Sequence, residues 1–148
     1  MASNIKQATF ALGWFWHPEV SYGKLSGVID TRVGYTGGTT PDPTYHSMGD
    51  HTESIQIDFD PNVISYQALL DHFWASHDPV YKSSCQYKSA IFYHDDEQKR
   101  LAEESFAEEE KKRKKKIFTC LQPLETFYLA EDYHQKYLTK ARSNCIVS

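Results

Sequence analysis

The stretch that decides the fold is Ala8-Thr9-Phe10-Ala11-Leu12-Gly13-Trp14-Phe15-Trp16, an apolar run that leads into a glycine and three aromatic residues. A short apolar run that ends at a glycine is typical of a buried strand. Pro18 follows closely, and proline is favoured in the first turn of a helix. The sequence therefore predicts a strand over residues 8–12 that leads into a helix over residues 18–25.

Hydrophobic periodicity and turn residues predict the remaining elements. Strands are expected over residues 28–35, 53–59, 89–93 and 117–121, and an irregular loop is expected over residues 36–50. Helices are expected from an N-cap at Ser65 through Trp74, from Asp95 or Asp96 to about Lys112, and over residues 131–137. Ile55, Ile57 and Phe59 alternate, which predicts a half-buried strand. This order predicts an α/β fold, a two-layer sandwich in which helices pack on a central mixed β-sheet.

Size and charge narrow the classes of protein that fit. A chain of 148 residues is expected to form one domain over residues 1–148, with an N-terminal tail (1–7) and a C-terminal tail (139–148). The net charge of −4 gives no footprint for nucleic acid, and the basic run 111–116 follows acidic residues, as at a solvated helix end. No apolar run approaches the ~20 residues of a membrane span, and residues 1–6 do not resemble a signal peptide, so a cytoplasmic protein is expected.

The three cysteines, Cys85, Cys120 and Cys145, form neither a disulfide framework nor a CxxC pair. Reduced cytosolic thiols are the simplest interpretation. Cys120 falls in a predicted strand and is expected to be a small core residue, since buried cysteine behaves as a hydrophobe.

Several sequence blocks in a fixed order resemble the A-type peptide methionine sulfoxide reductases. The blocks are Gly13-Trp14-Phe15-Trp16, Val33-Gly34-Tyr35-Thr36-Gly37-Gly38, Asp42-Pro43-Thr44-Tyr45-His46, His51-Thr52-Glu53, Phe59-Asp60-Pro61, His77-Asp78-Pro79, Gln86-Tyr87-Lys88-Ser89-Ala90-Ile91-Phe92-Tyr93 and Ala130-Glu131-Asp132-Tyr133-His134-Gln135. Each block alone is weak, but the series is specific and spans residues 8–138. The resemblance implies helices packed on a mixed sheet, with an active-site turn where the first strand enters the first helix.

The resemblance also implies a reaction. In this family a thiolate attacks the sulfur of methionine S-sulfoxide, a second cysteine condenses with the resulting sulfenic acid, and thioredoxin reduces the disulfide. No cofactor is implied beyond thioredoxin or another thiol reductant, and the expected ligand is a methionine sulfoxide-like small molecule or peptide.

Family positions map onto this chain motif by motif. Glu53 matches the acid, Tyr45 and Tyr87 match the tyrosines that hold the sulfoxide oxygen, and Phe15 and Trp16 match the aromatic cage around the methyl group. Each also has a structural interpretation: Glu53 as an exposed strand residue, and the aromatic residues as ordinary core. His17 and His51 are further candidates for the substrate-binding pocket. His17, His46, His51 and Glu53 would suit a zinc ion chemically, but their spacing matches no ligand motif, and no metal is predicted.

The departure from the family is at the nucleophile. Trp14 stands where the family motif Gly-Cys-Phe-Trp has its cysteine, and an indole cannot attack a sulfoxide. Residues 80–85 are also shorter than the loop that supplies an aspartate in many members. Cys145 is the candidate resolving cysteine, and Cys85 or Cys145 could have taken over the attack.

Three hypotheses follow. The chain is a reductase in which Trp14 is an artefact or an engineered change, one base away from a cysteine or selenocysteine codon. Alternatively, it is a pseudoenzyme that binds a sulfoxide, a thioether or a protein partner. The third hypothesis is a different acid–base enzyme that uses Glu53, Tyr45 and Tyr87.

Overall fold

In the computed structural model the chain folds around a mixed sheet of six strands. The structure describes residues 5–12, 21–38, 51–76, 89–114 and 116–130. The elements are β1 (Lys6–Leu12), β2 (Val28–Thr36), β3 (Thr52–Phe59), α1 (Tyr66–Ser76), β4 (Ser89–Tyr93), α2 (Asp96–Arg113), β5 (Thr119–Pro123) and β6 (Tyr128–Leu129). Residues 21–23 add a helical turn before β2.

The strand order is β5-β4-β1-β3-β2-β6, which places the first strand of the chain in the middle of the sheet. Strand β1 pairs antiparallel with β3 and with β4, while β4 and β5 run parallel and are connected through α2. A parallel pair requires such a crossover, because a tight turn can join only antiparallel strands. The predicted α/β class with a mixed sheet is confirmed.

The main core lies between the sheet and the helices, on what we call the helix face. Phe10 of β1 is fully buried, and its ring lies 5.7 Å from Tyr22, 6.0 Å from Tyr66 and 5.2 Å from Phe73. Tyr22 also donates a hydrogen bond of 3.1 Å to the carbonyl oxygen of Leu69. The apolar stripe of α1 therefore covers the centre of the sheet, where its burial contributes most to stability.

The opposite side, the outer face, is covered in part by the chain itself. Residues 124–127 cross it on the way from β5 to β6: Leu124 packs against Ala11, Ala90 and Phe92, and its N–H donates to the carbonyl oxygen of Tyr93. This crossing segment (residues 124–127) is why strands near it are buried on both faces.

Side-chain caps define where the helices begin. The Ser65 hydroxyl accepts a hydrogen bond of 3.0 Å from the N–H of Ala68, and the Asp95 carboxylate accepts one of 2.8 Å from the N–H of Gln98. Both residues satisfy donors that the first helical turn leaves open. The predicted N-cap at Ser65 is confirmed, and Asp95 rather than Asp96 caps α2.

Several boundaries differ from the sequence predictions. The helical turn ends at Gly23, strand β5 starts at Thr119 rather than residue 117, and β1 begins at Lys6, within the expected N-terminal tail. Strand β6 was not predicted. The expected helix over residues 131–137 lies outside the described residues.

Two burial predictions were wrong. Cys120 is exposed, because alternation along β5 turns its buried neighbour Thr119 inward and Cys120 outward. Strand β3 is not half-buried: Ser54 and Gln56 are buried on the outer face just as Ile55 is on the helix face. Within the described parts of the chain, no helix is long and apolar enough to cross a membrane.

Candidate functional site

Four strands of the sheet begin or end at the same place. Leu12, the last residue of β1, pairs with Ser89, the first residue of β4. Thr36, the last residue of β2, pairs with Thr52, the first residue of β3. Phe10 pairs with Ile55, so that β1 ends alongside the start of β3. We call this edge the convergent end of the sheet.

The segments that carry most predicted site residues attach at the convergent end. Residues 13–20 follow β1, residues 39–50 connect β2 to β3, and residues 77–88 precede β4. These segments contain Trp14, Phe15, Trp16 and His17, then Tyr45, and then Tyr87. All of these residues, and Cys145, lie outside the described residues, and their individual roles stay predictions.

Glu53 is the predicted site residue that the structure places most clearly. It lies near the start of β3, directly opposite Tyr35 of β2, and is only 1% exposed. Opposite residues of an antiparallel pair share a face, so both side chains belong to the helix face. Carboxylates are seldom buried so completely without a specific role, because leaving water is costly. The interpretation of Glu53 as an exposed strand residue is therefore wrong.

His51 lies beside Glu53, just before β3, and is 2% exposed. Its Nδ1 accepts a hydrogen bond of 3.2 Å from the N–H of Gly38, and its ring meets that of Tyr128 edge-on at 5.4 Å. Because Nδ1 accepts this bond, the proton of the neutral ring is on Nε2. The contacts fix the orientation of the imidazole next to the candidate acid.

Sequence reasoning missed three residues of this region. Tyr35 is fully buried opposite Glu53, Tyr128 pairs with Tyr35 and packs on His51, and Gly38 holds the His51 ring. Tyr35 and Gly38 belong to the block of residues 33–38, but that block did not single them out. No sequence motif pointed to Tyr128, because only the pairing of β2 with β6 brings it next to His51.

A metal centre has no support in the part of the chain that the structure describes, where no three His, Cys, Asp or Glu side chains come together as ligands. His17 and His46 lie outside that part. The described residues instead build a polar, aromatic corner around Glu53 and His51.

Comparisons with known proteins agree with this geometry. The family model "Peptide methionine sulfoxide reductase" matches residues 6–147. The chain is 47% identical over 148 residues to peptide methionine sulfoxide reductase MsrA of Methanococcoides burtonii, covering 92% of this chain and 97% of that protein. It is 44% identical over 143 residues to peptide methionine sulfoxide reductase A5 of Arabidopsis thaliana, covering 92% of this chain but only 56% of that protein. The chain thus spans about half the length of some relatives.

Solved structures give the same result. Mxr1 from Saccharomyces cerevisiae in reduced form superposes with a TM-score of 0.89 at 31% identity, covering 96% of this chain and 88% of that chain. The same yeast protein in complex with Trx2 superposes with a TM-score of 0.71 at 29% identity, covering 93% and 87%. On the family model, the sequence identities and the shared fold, this chain belongs to the peptide methionine sulfoxide reductase family.

Proposed function

We propose that the chain is a methionine S-sulfoxide-binding member of its family that has lost the standard thiol-dependent reduction. The observation that carries the proposal is a buried acid at the convergent end in a chain whose sequence lacks the family's nucleophile. Glu53 is 1% exposed at the convergent end, where β1 ends at Leu12, and two positions further along the sequence stands Trp14 instead of cysteine.

The family reaction shows what the tryptophan removes. A cysteine thiolate attacks the sulfoxide sulfur while a proton is delivered to the oxygen. The oxygen then passes to the cysteine sulfur as a hydroxyl group while the new sulfur–sulfur bond breaks, which leaves the thioether and a sulfenic acid on the enzyme. The residues proposed for proton delivery and oxygen binding are Glu53, Tyr45 and Tyr87. An indole ring has no thiolate to form the new bond, so the covalent path is lost entirely.

Binding needs only the rest of the site. Phe15 and Trp16 are proposed to enclose the sulfoxide methyl group, and His17 and His51 to border the pocket. The fixed orientation of His51 and the burial of Glu53 support a site that is organised before the ligand arrives.

A thioredoxin partner is proposed only for a redox-active form. A structural relative, yeast Mxr1, has been solved in complex with Trx2. In this chain the corresponding step would require a disulfide, for which Cys145 is the candidate resolving cysteine. Without a nucleophile at position 14, no such disulfide forms.

The test compares the protein with Trp14→Cys and Trp14→Ala in a methionine S-sulfoxide peptide assay with dithiothreitol or thioredoxin. We expect no turnover above a boiled control for the unchanged chain and for Trp14→Ala, and at least one thioether formed per chain for Trp14→Cys. Adding Glu53→Gln to Trp14→Cys should slow this step by about 10²–10⁴-fold, the range for loss of a general acid.

Two results would contradict the proposal. Turnover by the unchanged chain that disappears in Cys85→Ser or Cys145→Ser would show that a displaced cysteine has taken over. A folded Trp14→Cys protein without a single turnover would show that the sulfoxide site is not intact.

A further inference from the structure

A polar cleft lies next to the candidate site, between the end of β2 and the crossing segment. Its volume is about 560 Å³, and its walls include Gly37, Gly38, Gln122, Glu125 and Tyr128. This volume falls within the range of about 300–1,000 Å³ that is usual for ligand sites. The mechanism proposed above uses none of the residues in its walls.

The cleft is connected to the candidate site through two direct contacts. Tyr128, in its wall, packs on the ring of His51, and the N–H of Gly38 donates to the same ring. Anything bound in the cleft would therefore lie beside His51, two positions along the chain from Glu53. A methionine residue bound at Glu53 would bring its sequence neighbours to this place.

A glycine and a hydrogen bond fix the shape of the cleft walls. Gly37 is exposed and has a positive φ of 89°, and a Cβ atom there would lie 2.8 Å from the Phe92 ring. Only glycine fits this position without strain, and the missing side chain leaves room for the Phe92 ring of the same chain. The carbonyl oxygen of Thr126 is already held by the Thr36 hydroxyl at 2.5 Å, which ties the facing wall to β2.

The charge of the cleft comes from one residue. Among its described lining residues Glu125 alone is charged, and the Glu125 and Gln122 side chains make no hydrogen bond or ion pair within the described part of the chain. An exposed carboxylate that faces a cleft favours a cationic group there.

We propose that this cleft is a subsite for the residue next to methionine sulfoxide in a peptide, and that Glu125 favours lysine or arginine at that position. The inference rests on the proposed function and deepens it, because it predicts that basic residues beside the methionine sulfoxide are preferred over neutral ones.

The test measures dissociation constants of blocked peptides by calorimetry at low salt. The probes are Lys-Met(O)-Lys and Gln-Met(O)-Gln, both as the S-sulfoxide, and unoxidised Lys-Met-Lys. We expect the lysine sulfoxide peptide to bind about two- to fivefold more tightly than the glutamine one, as one exposed ion pair allows. This ratio should approach one in Glu125→Gln and in 0.5 M salt.

Two variants complete the test. Glu103→Gln removes another exposed carboxylate, on α2, and should keep the ratio, which excludes an effect of net charge. Glu125→Lys should reverse the preference when Glu-Met(O)-Glu is compared. A ratio near one in the natural chain, or a ratio unchanged by Glu125→Gln, would overturn the subsite. Equal binding of Lys-Met-Lys and Lys-Met(O)-Lys would instead overturn the sulfoxide site itself, whatever the flanks do.

Discussion

A Cβ atom at Gly34 would lie 2.2 Å from the carbonyl oxygen of Tyr128 and 2.7 Å from the Phe127 ring. The residue therefore allows β6 and the crossing segment to lie directly against β2. This contact also places Tyr128 beside His51. Gly34 thus allows Tyr128 to pack at the candidate site.

Replacing Gly34 by alanine should lower the free energy of unfolding by about 1–3 kcal/mol, because the added methyl group must displace backbone. Gly23→Ala is the matched control, since nothing lies within 4 Å of a Cβ at Gly23, in the helical turn. Urea unfolding followed by circular dichroism measures both. Equal unfolding midpoints for the two variants would show that β6 can move away from β2 without loss of stability.

His94 makes the stability of the fold depend on pH. Its Nε2 lies 2.8 Å from the hydroxyl of buried Thr9, and burial lowers the pKa of the imidazole, with nearby Asp95 acting in the opposite direction. The fold thus favours the neutral ring, whereas the unfolded chain binds a proton near the ordinary pKa of 6.5. The unfolded state takes up more protons as pH falls through this value, so stability should fall below about pH 6.5.

His94→Gln should reduce this pH dependence, because glutamine can still meet the Thr9 hydroxyl but does not titrate. The measurement is the urea midpoint at pH 7.5 and at pH 5.5 for both proteins. His72, whose pKa burial also lowers, should leave a residual dependence. If the urea midpoint falls between pH 7.5 and pH 5.5 by as much in His94→Gln as in the unchanged chain, a group other than His94 causes the pH dependence.

Sequence motifs identified some residues of the candidate site and missed others. Glu53 and His51 were identified from local motifs, and the structure places them together at the convergent end. Tyr35 and Tyr128 were missed because their roles come from cross-strand pairing between residues far apart in the chain, which no local pattern encodes.

Among the elements, α2 has the most fully defined ends. Asp95 caps its start, and Lys114 ends it in a left-handed conformation with φ 55° and ψ 33°, its N–H donating to the carbonyl oxygen of Glu110 at 2.9 Å. Arg113 bonds Glu109 and the carbonyl oxygen of Trp74, which joins the end of α2 to α1.

Lys114→Gly should raise the free energy of unfolding by about 0.5–1 kcal/mol, because glycine adopts the left-handed conformation without steric strain. Lys112→Gly, two residues earlier and in the last turn of the helix, should lower it by about 1 kcal/mol, because glycine disfavours the helix and the ion pair with Glu109 is lost. Thermal unfolding of both variants at equal ionic strength measures the difference. Destabilisation by both would mean that the Lys114 side chain itself stabilises the helix end.

Element boundaries were predictable where the signal is local. Strand β4 has the expected bounds, and Ser65 and the Asp95–Asp96 pair marked the helix starts. Prediction failed where packing decides: β6 has only two residues and exists because it pairs with β2, and the exposure of Cys120 depends on which way β5 alternates.

Across the whole molecule, the strand order sets a gradient of protection. Strands β1 and β3 have partners on both sides, whereas β5 and β6 lie at the edges. Backbone amides in the centre should therefore exchange with solvent most slowly, since only global unfolding opens them.

Hydrogen exchange followed by NMR should find the slowest amides in β1 and β3, around Phe10, Ile55 and Ile57, and faster exchange in Leu129 and Cys120. The central side chains are buried on the helix face, and Leu129 is 64% exposed. If the amides of β6 exchange as slowly as those of β3, the prediction that the edges of the sheet open first is wrong.

The central position of β1 also matters while the protein is being made on the ribosome. Its two neighbours are β3 and β4, and Leu12 meets Ser89 only after about eighty further residues have been added. At about 5–20 residues per second, an apolar strand waits roughly 4–16 s for its second partner. The nascent chain therefore leaves an apolar segment unpaired for seconds, and we expect chaperones that bind emerging hydrophobic stretches to bind this segment.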